Sequence, residues 1–200
     1  MYPLQATRSR RAVRPYDPAH RLSAAEQREL LELAMLSPTA FNLQHWRFVV
    51  VEDAELRRQI RAVAWDQAQV TDASLLVVLC ADLASWEKQA VRVWGEAPQA
   101  VQDALLPLID GCYRDRPQFQ RDEALRSCGI AAQSLVLAAR GMGYDSCPMD
   151  GFDFAALARL INLPADHCIG LMLAIGRGVE TPAPSSGRLG FDEVVVRDRF

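Results

Sequence analysis

Ser37-Pro38-Thr39-Ala40-Phe41-Asn42-Leu43-Gln44-His45-Trp46 is the stretch on which the reading of the fold turns. It stands where one periodicity gives way to another. Upstream, Leu30, Leu33, Ala34 and Ser37 fall on one helical face, and Ser23-Ala24-Ala25-Glu26 has the form of a capping box at the start of that helix. Pro38 ends it, because the residue before a proline is pushed out of helical geometry. Downstream, Trp46–Glu52 and Ser74–Ala81 are apolar runs too short for typical helices. Their valines and leucines predict buried strands. The loop between helix and strand concentrates Asn42, Gln44 and two hydroxyls. Such a loop offers several donors and acceptors to a polyol or to the edge of a heterocycle. A turn whose Asn and Gln satisfy only the backbone would look the same.

Further out, Asp53 is placed to cap a short helix running to Val63. Ser85–Asp110 reads as helix in two or three pieces, interrupted by Pro98 and Pro107. Asp122–Arg140 carries Leu125, Cys128, Ala132, Leu135, Val136 and Ala139 at helical spacing and stops at Gly141. Its small residues Gly129, Ala131 and Ala132 would admit another helix or a flat ligand. Asp153–Ile161 predicts a short capped helix, Ile169–Gly176 a third strand, Thr181–Gly190 a loop, and Glu193–Arg197 a last short strand. Strands and helices are interspersed without regular alternation, which argues against a doubly wound sheet. Gly141-Met142-Gly143 follows a helix rather than a strand, so no dinucleotide-binding glycine motif is present. With no internal repeat and no linker, residues 1–200 read as one domain.

Composition excludes several classes. A formal net charge of -3 gives no electrostatic case for nucleic acid or an anionic membrane as partner. Five cysteines (80, 112, 128, 147, 168) and three histidines show no zinc-ligand spacing and no disulfide framework. No apolar run reaches transmembrane length, and the N-terminus lacks a signal-like apolar core, so a cytoplasmic location is expected.

Three more segments carry candidate chemistry. Arg8-Ser9-Arg10-Arg11-Ala12-Val13-Arg14 sets four guanidiniums in seven residues, whose forks match phosphate oxygens. A solvated basic arm fits the composition equally well. Pro148-Met149-Asp150-Gly151-Phe152 follows a predicted strand and precedes the helix capped by Asp153, and the glycine would let backbone amides approach a ring. Ser185-Ser186-Gly187-Arg188 offers a late arginine in a polar loop. No triad is visible: the histidines lack a Ser or Cys at motif spacing. Cys147, near the glycine turn, reads as a packed thiol.

Taken in order, these segments resemble the FMN-binding elements of the nitroreductase family, from about Thr7 to the C-terminus. Arg-Arg-Ala-Val-Arg-Pro-Tyr-Asp and Ser-Pro-Thr-Ala-Phe-Asn-Leu-Gln-His-Trp are the most specific pieces. The resemblance implies an α+β fold with a mostly antiparallel central sheet flanked by helices, and an interlocked homodimer with two shared FMN sites. It places Arg10, Arg11, the Ala12 backbone, Arg14 and Arg188 at the FMN phosphate and ribityl chain. Thr39, Asn42 and Gln44 fall in the loop that reaches the flavin of the partner subunit. Gln69 faces the pyrimidine side of the ring, and Met149, Asp150 and Gly151 lie near the N5 edge. The chain departs from many relatives at Ala12 (often serine), His45 (often proline), Gln69 (lysine in several) and Ser186 (basic in some). The implied activity is ping-pong electron transfer from NADH or NADPH to a small acceptor such as a nitroaromatic, quinone or enone. Flavin would carry the chemistry and protein would bind and tune it. Flavin binding without turnover, or other flavin chemistry such as dehalogenation, are the alternatives. Trp86, Trp94, Tyr113 and Phe119 lie where relatives shape a substrate pocket, and packing at a dimer interface is the competing role.

Overall fold

A computed structural model of the chain describes residues 3–180 and 187–200. Helix α1 (Pro3–Ser9) leads through an extended arm to α2 (Ala24–Met35). Strand β1 (Trp46–Val50), helices α3 (Ala54–Val63) and α4 (Gln69–Asp72) and strand β2 (Leu75–Asp82) follow. Next come α5 (Ser85–Trp94), α6 (Gln99–Tyr113), α7 (Pro117–Gly141), β3 (Asp145–Met149), α8 (Phe154–Leu160) and β4 (His167–Gly176). The last element is α9 (Phe191–Val194).

Among the described residues the sheet has the order β1-β2-β4-β3, with every neighbouring pair antiparallel. Leu75, Val77, Leu79 and Ala81 point to one core, shared with Leu30 and Ala34 of α2 and Cys128, Leu135 and Val136 of α7. Leu76, Val78 and Cys80 point to a second core, shared with Ile60 of α3, Val70 of α4 and Leu157 of α8. Both faces of β2 are therefore covered. That is why the strand reads as unbroken apolar sequence although its pairing is antiparallel. A third cluster (Leu43, Trp86, Ala90, Ile109, Tyr113) joins α5 and α6 to the loop before β1.

The capping box is present: Ser23 Oγ accepts from the Glu26 amide, and Glu26 accepts from the Ser23 amide at 2.8 Å. Asp53 and Asp153 cap α3 and α8 as expected. Other expectations are corrected. Leu33 is exposed, because α2 turns only Leu30 and Ala34 fully to α7. Pro107 lies inside α6 without breaking it. It sits on the solvent side, where a displaced carbonyl can turn to water. Helix α7 begins at Pro117, five residues before Asp122, because proline suits the first helical turn. Pro148 lies within β3, an edge strand that tolerates a missing donor. Ile169–Gly176 is thus part of the fourth strand in sequence, not the third. Glu193 belongs to α9, so the predicted strand at Glu193–Arg197 is absent; those residues are exposed and meet no sheet edge. Ser185 and Ser186 lie outside the described residues.

Candidate functional site

The arm after α1 is laid along the β3 edge of the sheet. Ala12 bridges Ser146, and the Val13 amide donates to the Ser146 carbonyl at 3.1 Å. Val13 and Tyr16 are buried, and the Tyr16 hydroxyl donates to the Ala174 carbonyl at 3.1 Å. With these two anchors inward, Arg11, Ala12 and Arg14 face outward. Arg140 braces the junction, donating to Ser9 Oγ at 3.2 Å and pairing with Asp145 at 3.1 Å. Arg10, Arg11, Arg14 and Arg188 have no ion pair among the described residues; several other arginines share that condition, and what sets the arm apart is three such guanidiniums within five residues. An uncompensated guanidinium cluster is suited to an anion. Arg188 is exposed and in the single chain is not joined to the arm by any hydrogen bond among the described residues.

Strand β3 runs from the arm into the Met149-Asp150-Gly151 turn. The Met149 side chain is buried in the core, so only its backbone is available to a ligand. A Cβ at Gly151 would lie 2.6 Å from the Trp65 ring, which packs directly on the glycine. Trp65 and Asp66 both hold left-handed backbone (φ 53° and 51°), and the Trp65 indole is 77% exposed. The turn is held by Arg61 Nε donating to Asp66 at 2.7 Å and by the Asp153 amide donating to the Val63 carbonyl at 2.9 Å. Gln67 Nε2 donates to the Gly151 carbonyl at 2.9 Å, and buried Gln69 Nε2 donates to Gln67 Oε1 at 2.9 Å. The arm, the glycine turn and Gln69 thus belong to one neighbourhood. Sequence reading missed Trp65 and Gln67. The available signal was the Gln-x-Gln spacing just behind a bulky residue at a helix end.

Thr39, Asn42 and Gln44 stand elsewhere, before β1 on the opposite edge of the sheet. Phe41, Asn42 and Gln44 all adopt left-handed backbone (φ 51°, 54° and 49°). Such conformations persist only where surroundings impose them. Here Thr39 Oγ1 accepts from the Gln44 amide at 2.9 Å, and Trp94 Nε1 donates to the Phe41 carbonyl at 2.9 Å. Fully buried His45 meets Ser127 Oγ of α7 at 3.1 Å. Burial lowers the His45 pKa to about 4 and keeps the ring neutral. The loop borders a cleft of ≈ 770 Å³ lined in part by Leu31, Met35, Phe48 and Arg92. Trp86 and Tyr113 stack at 6.2 Å and Phe119 meets Tyr113 edge-on at 5.1 Å. Trp86 and Tyr113 are buried beneath the loop, with Trp86 also at the edge of a small cavity beside Ile109 and Arg114.

All five cysteines are free. Burial pushes Cys80 and Cys128 up to about 12, which makes them poor nucleophiles. Cys147 is also raised by burial, against the lowering effect of Arg14 beside it. Asp82, Asp166 and His167 converge, but the Lys88 ammonium already lies between the carboxylates at 3.0 and 2.6 Å.

The sequence pattern of the nitroreductase family matches residues 7–177, and the chain belongs to that family. Protein DrgA of Synechocystis sp. is 51% identical over 179 residues, 90% of this chain and 85% of the relative. An NADH dehydrogenase of Thermus thermophilus is 31% identical, covering 96% of this chain and 93% of its own length. A chain from Exiguobacterium sibiricum, solved in complex with FMN, superposes with a TM-score of 0.90 at 28% identity, covering 98% of this chain and 97% of that one. No helix among the described residues is long and apolar enough to cross a membrane.

Proposed function

We propose that the chain is a single-domain FMN-dependent oxidoreductase of the cytoplasm, working as a homodimer with two shared sites. Electrons pass by a ping-pong route from NADH or NADPH to a small electron-poor acceptor such as a nitroaromatic, quinone or enone. The observation that carries this reading is the β3 edge. There, guanidiniums without carboxylate partners stand beside a glycine turn whose Gly151 amide donates no hydrogen bond among the described residues. That donor set fits a phosphorylated flavin, and an FMN-bound structure of the same fold supports it.

When bound, FMN supplies the hydride and electron chemistry. Arg10, Arg11 and Arg14, with Arg188 from the tail, neutralise its phosphate, and the Ala12 backbone lies alongside. Gln69 presents an amide to the pyrimidine edge. The Gly151 amide, free of a hydrogen bond among the described residues, is available to the N5 edge of the ring, with the Met149 and Asp150 backbone continuing that wall. Thr39, Asn42 and Gln44 sit on the far edge of the same sheet, which suits a site completed by the second subunit.

Purified protein should be yellow or take up FMN, and the colour should bleach anaerobically with NADH or NADPH and return with an acceptor. Protein that takes up no FMN defeats the reading. Bound flavin that no nicotinamide reduces would instead make it a flavin carrier.

A further inference from the structure

The strained turn at Trp65–Gln67 has no task in the phosphate grip, yet it holds one residue, Gly151, from two directions. Gln67 Nε2 donates to the Gly151 carbonyl at 2.9 Å, across 84 residues of sequence. The Trp65 ring lies over the Gly151 Cα so closely that a Cβ would collide at 2.6 Å. Gln69 closes the chain: its donation to Gln67 Oε1 at 2.9 Å fixes which end of the Gln67 amide faces Gly151. The backbone conformation that permits this, φ 53° at a tryptophan, is unusual for a bulky residue and points to an imposed function.

We propose that Trp65 and Gln67 are positioning residues that clamp this turn: Gln67 fixes the Gly151–Phe152 peptide by its carbonyl and Trp65 packs on the Gly151 Cα, and together they hold the adjoining Asp150–Gly151 peptide with its open N–H toward the flavin. Resting on the FMN reading above, the inference assigns them an indirect role, through Gly151. A backbone N–H held toward the flavin N5 edge stabilises the oxidised ring, whose N5 carries a lone pair, over the reduced ring, whose N5 carries a hydrogen. Release of the clamp therefore raises the midpoint potential.

The test is spectroelectrochemical titration of the FMN-loaded parent, Gln67→Leu and Trp65→Asn, with FMN affinity measured in parallel. Asparagine tolerates left-handed backbone, so the last variant removes the indole without adding strain. Gln67→Leu removes the donor without adding charge, and Gln67 is only half-buried, so folding should survive. Expected are FMN affinities within about threefold of the parent and a redox equilibrium shifted toward reduced flavin by about tenfold, or about 30 mV for a two-electron couple. Loaded variants at the parent potential, or below it, overturn the clamp and leave the FMN reading standing. A parent that takes up no FMN overturns both.

Discussion

At the scale of single residues, two groups carry opposite electrostatic problems. Arg10 is a half-buried arginine of the arm with no ion pair among the described residues, so its charge is available to an anion. A charge-assisted hydrogen bond is worth about 1.5–3 kcal/mol, so Arg10→Ala should weaken FMN binding by about 10–150-fold. Fluorescence titration of apo-protein measures this, and riboflavin, lacking the phosphate, should bind the parent poorly. Equal affinity for FMN and riboflavin would remove the arm from the site. His45 is the reverse case, an ionisable ring denied its charge by burial. Its folded pKa of about 4 lies below the ordinary histidine value, so the unfolded chain binds the extra proton first. Stability from this residue is complete above about pH 6.5 and falls as pH drops toward 4, by about 3 kcal/mol. Urea unfolding at pH 7 and pH 5 should show the loss, and His45→Gln should flatten it. An equal pH slope in that variant would place the proton elsewhere.

At the scale of elements, α2 is tied down at its start. Ser23 and Glu26 cap each other, and Glu26 also accepts from the Tyr144 hydroxyl beyond the far end of α7, at 2.5 Å. Ser23→Ala should cost about 1 kcal/mol, the usual loss for an N-cap. Glu26→Ala should cost more, because it removes the cap and the tie to Tyr144 together. Denaturant midpoints of the two variants check the ranking, and a milder Glu26→Ala would show the Tyr144 bond to be idle. The capping signals were legible because they lie within three residues of one another. The short helix α9 was not, because a strand needs a pairing edge, and nothing in Glu193–Arg197 states whether one is near. The role of Trp86 and Tyr113 was left open for a similar reason. An aromatic at helical spacing shows which side is apolar, but not whether that side meets another helix or a ligand.

At the scale of the molecule, the proposed site is split between the two edges of one sheet, and much apolar surface is left uncovered. Leu36 is 80% exposed and Phe191 66%, with Val194 and Phe200 also open. These side chains are available to an association surface, and a second copy of the chain is the proposed occupant. Phe191→Asp should therefore shift sedimentation toward monomer and release FMN in the same dilution range. A monomer that keeps its flavin tightly would contradict the shared site. The sequence by itself determined the features set by neighbours along the chain: the caps, the helix ended at Pro38, the strand runs, the arginine arm and the 39–46 loop. Each depends on backbone geometry or side-chain chemistry within a few residues. Tertiary structure alone decided the order β1-β2-β4-β3, the laying of the arm on Ser146, the separation of Asn42 and Gln44 from Gly151, and the hold of Trp65 and Gln67 on that glycine. Those contacts join residues tens of positions apart. They are selected by covering both faces of β2 at once, a condition on the whole chain that no local pattern contains.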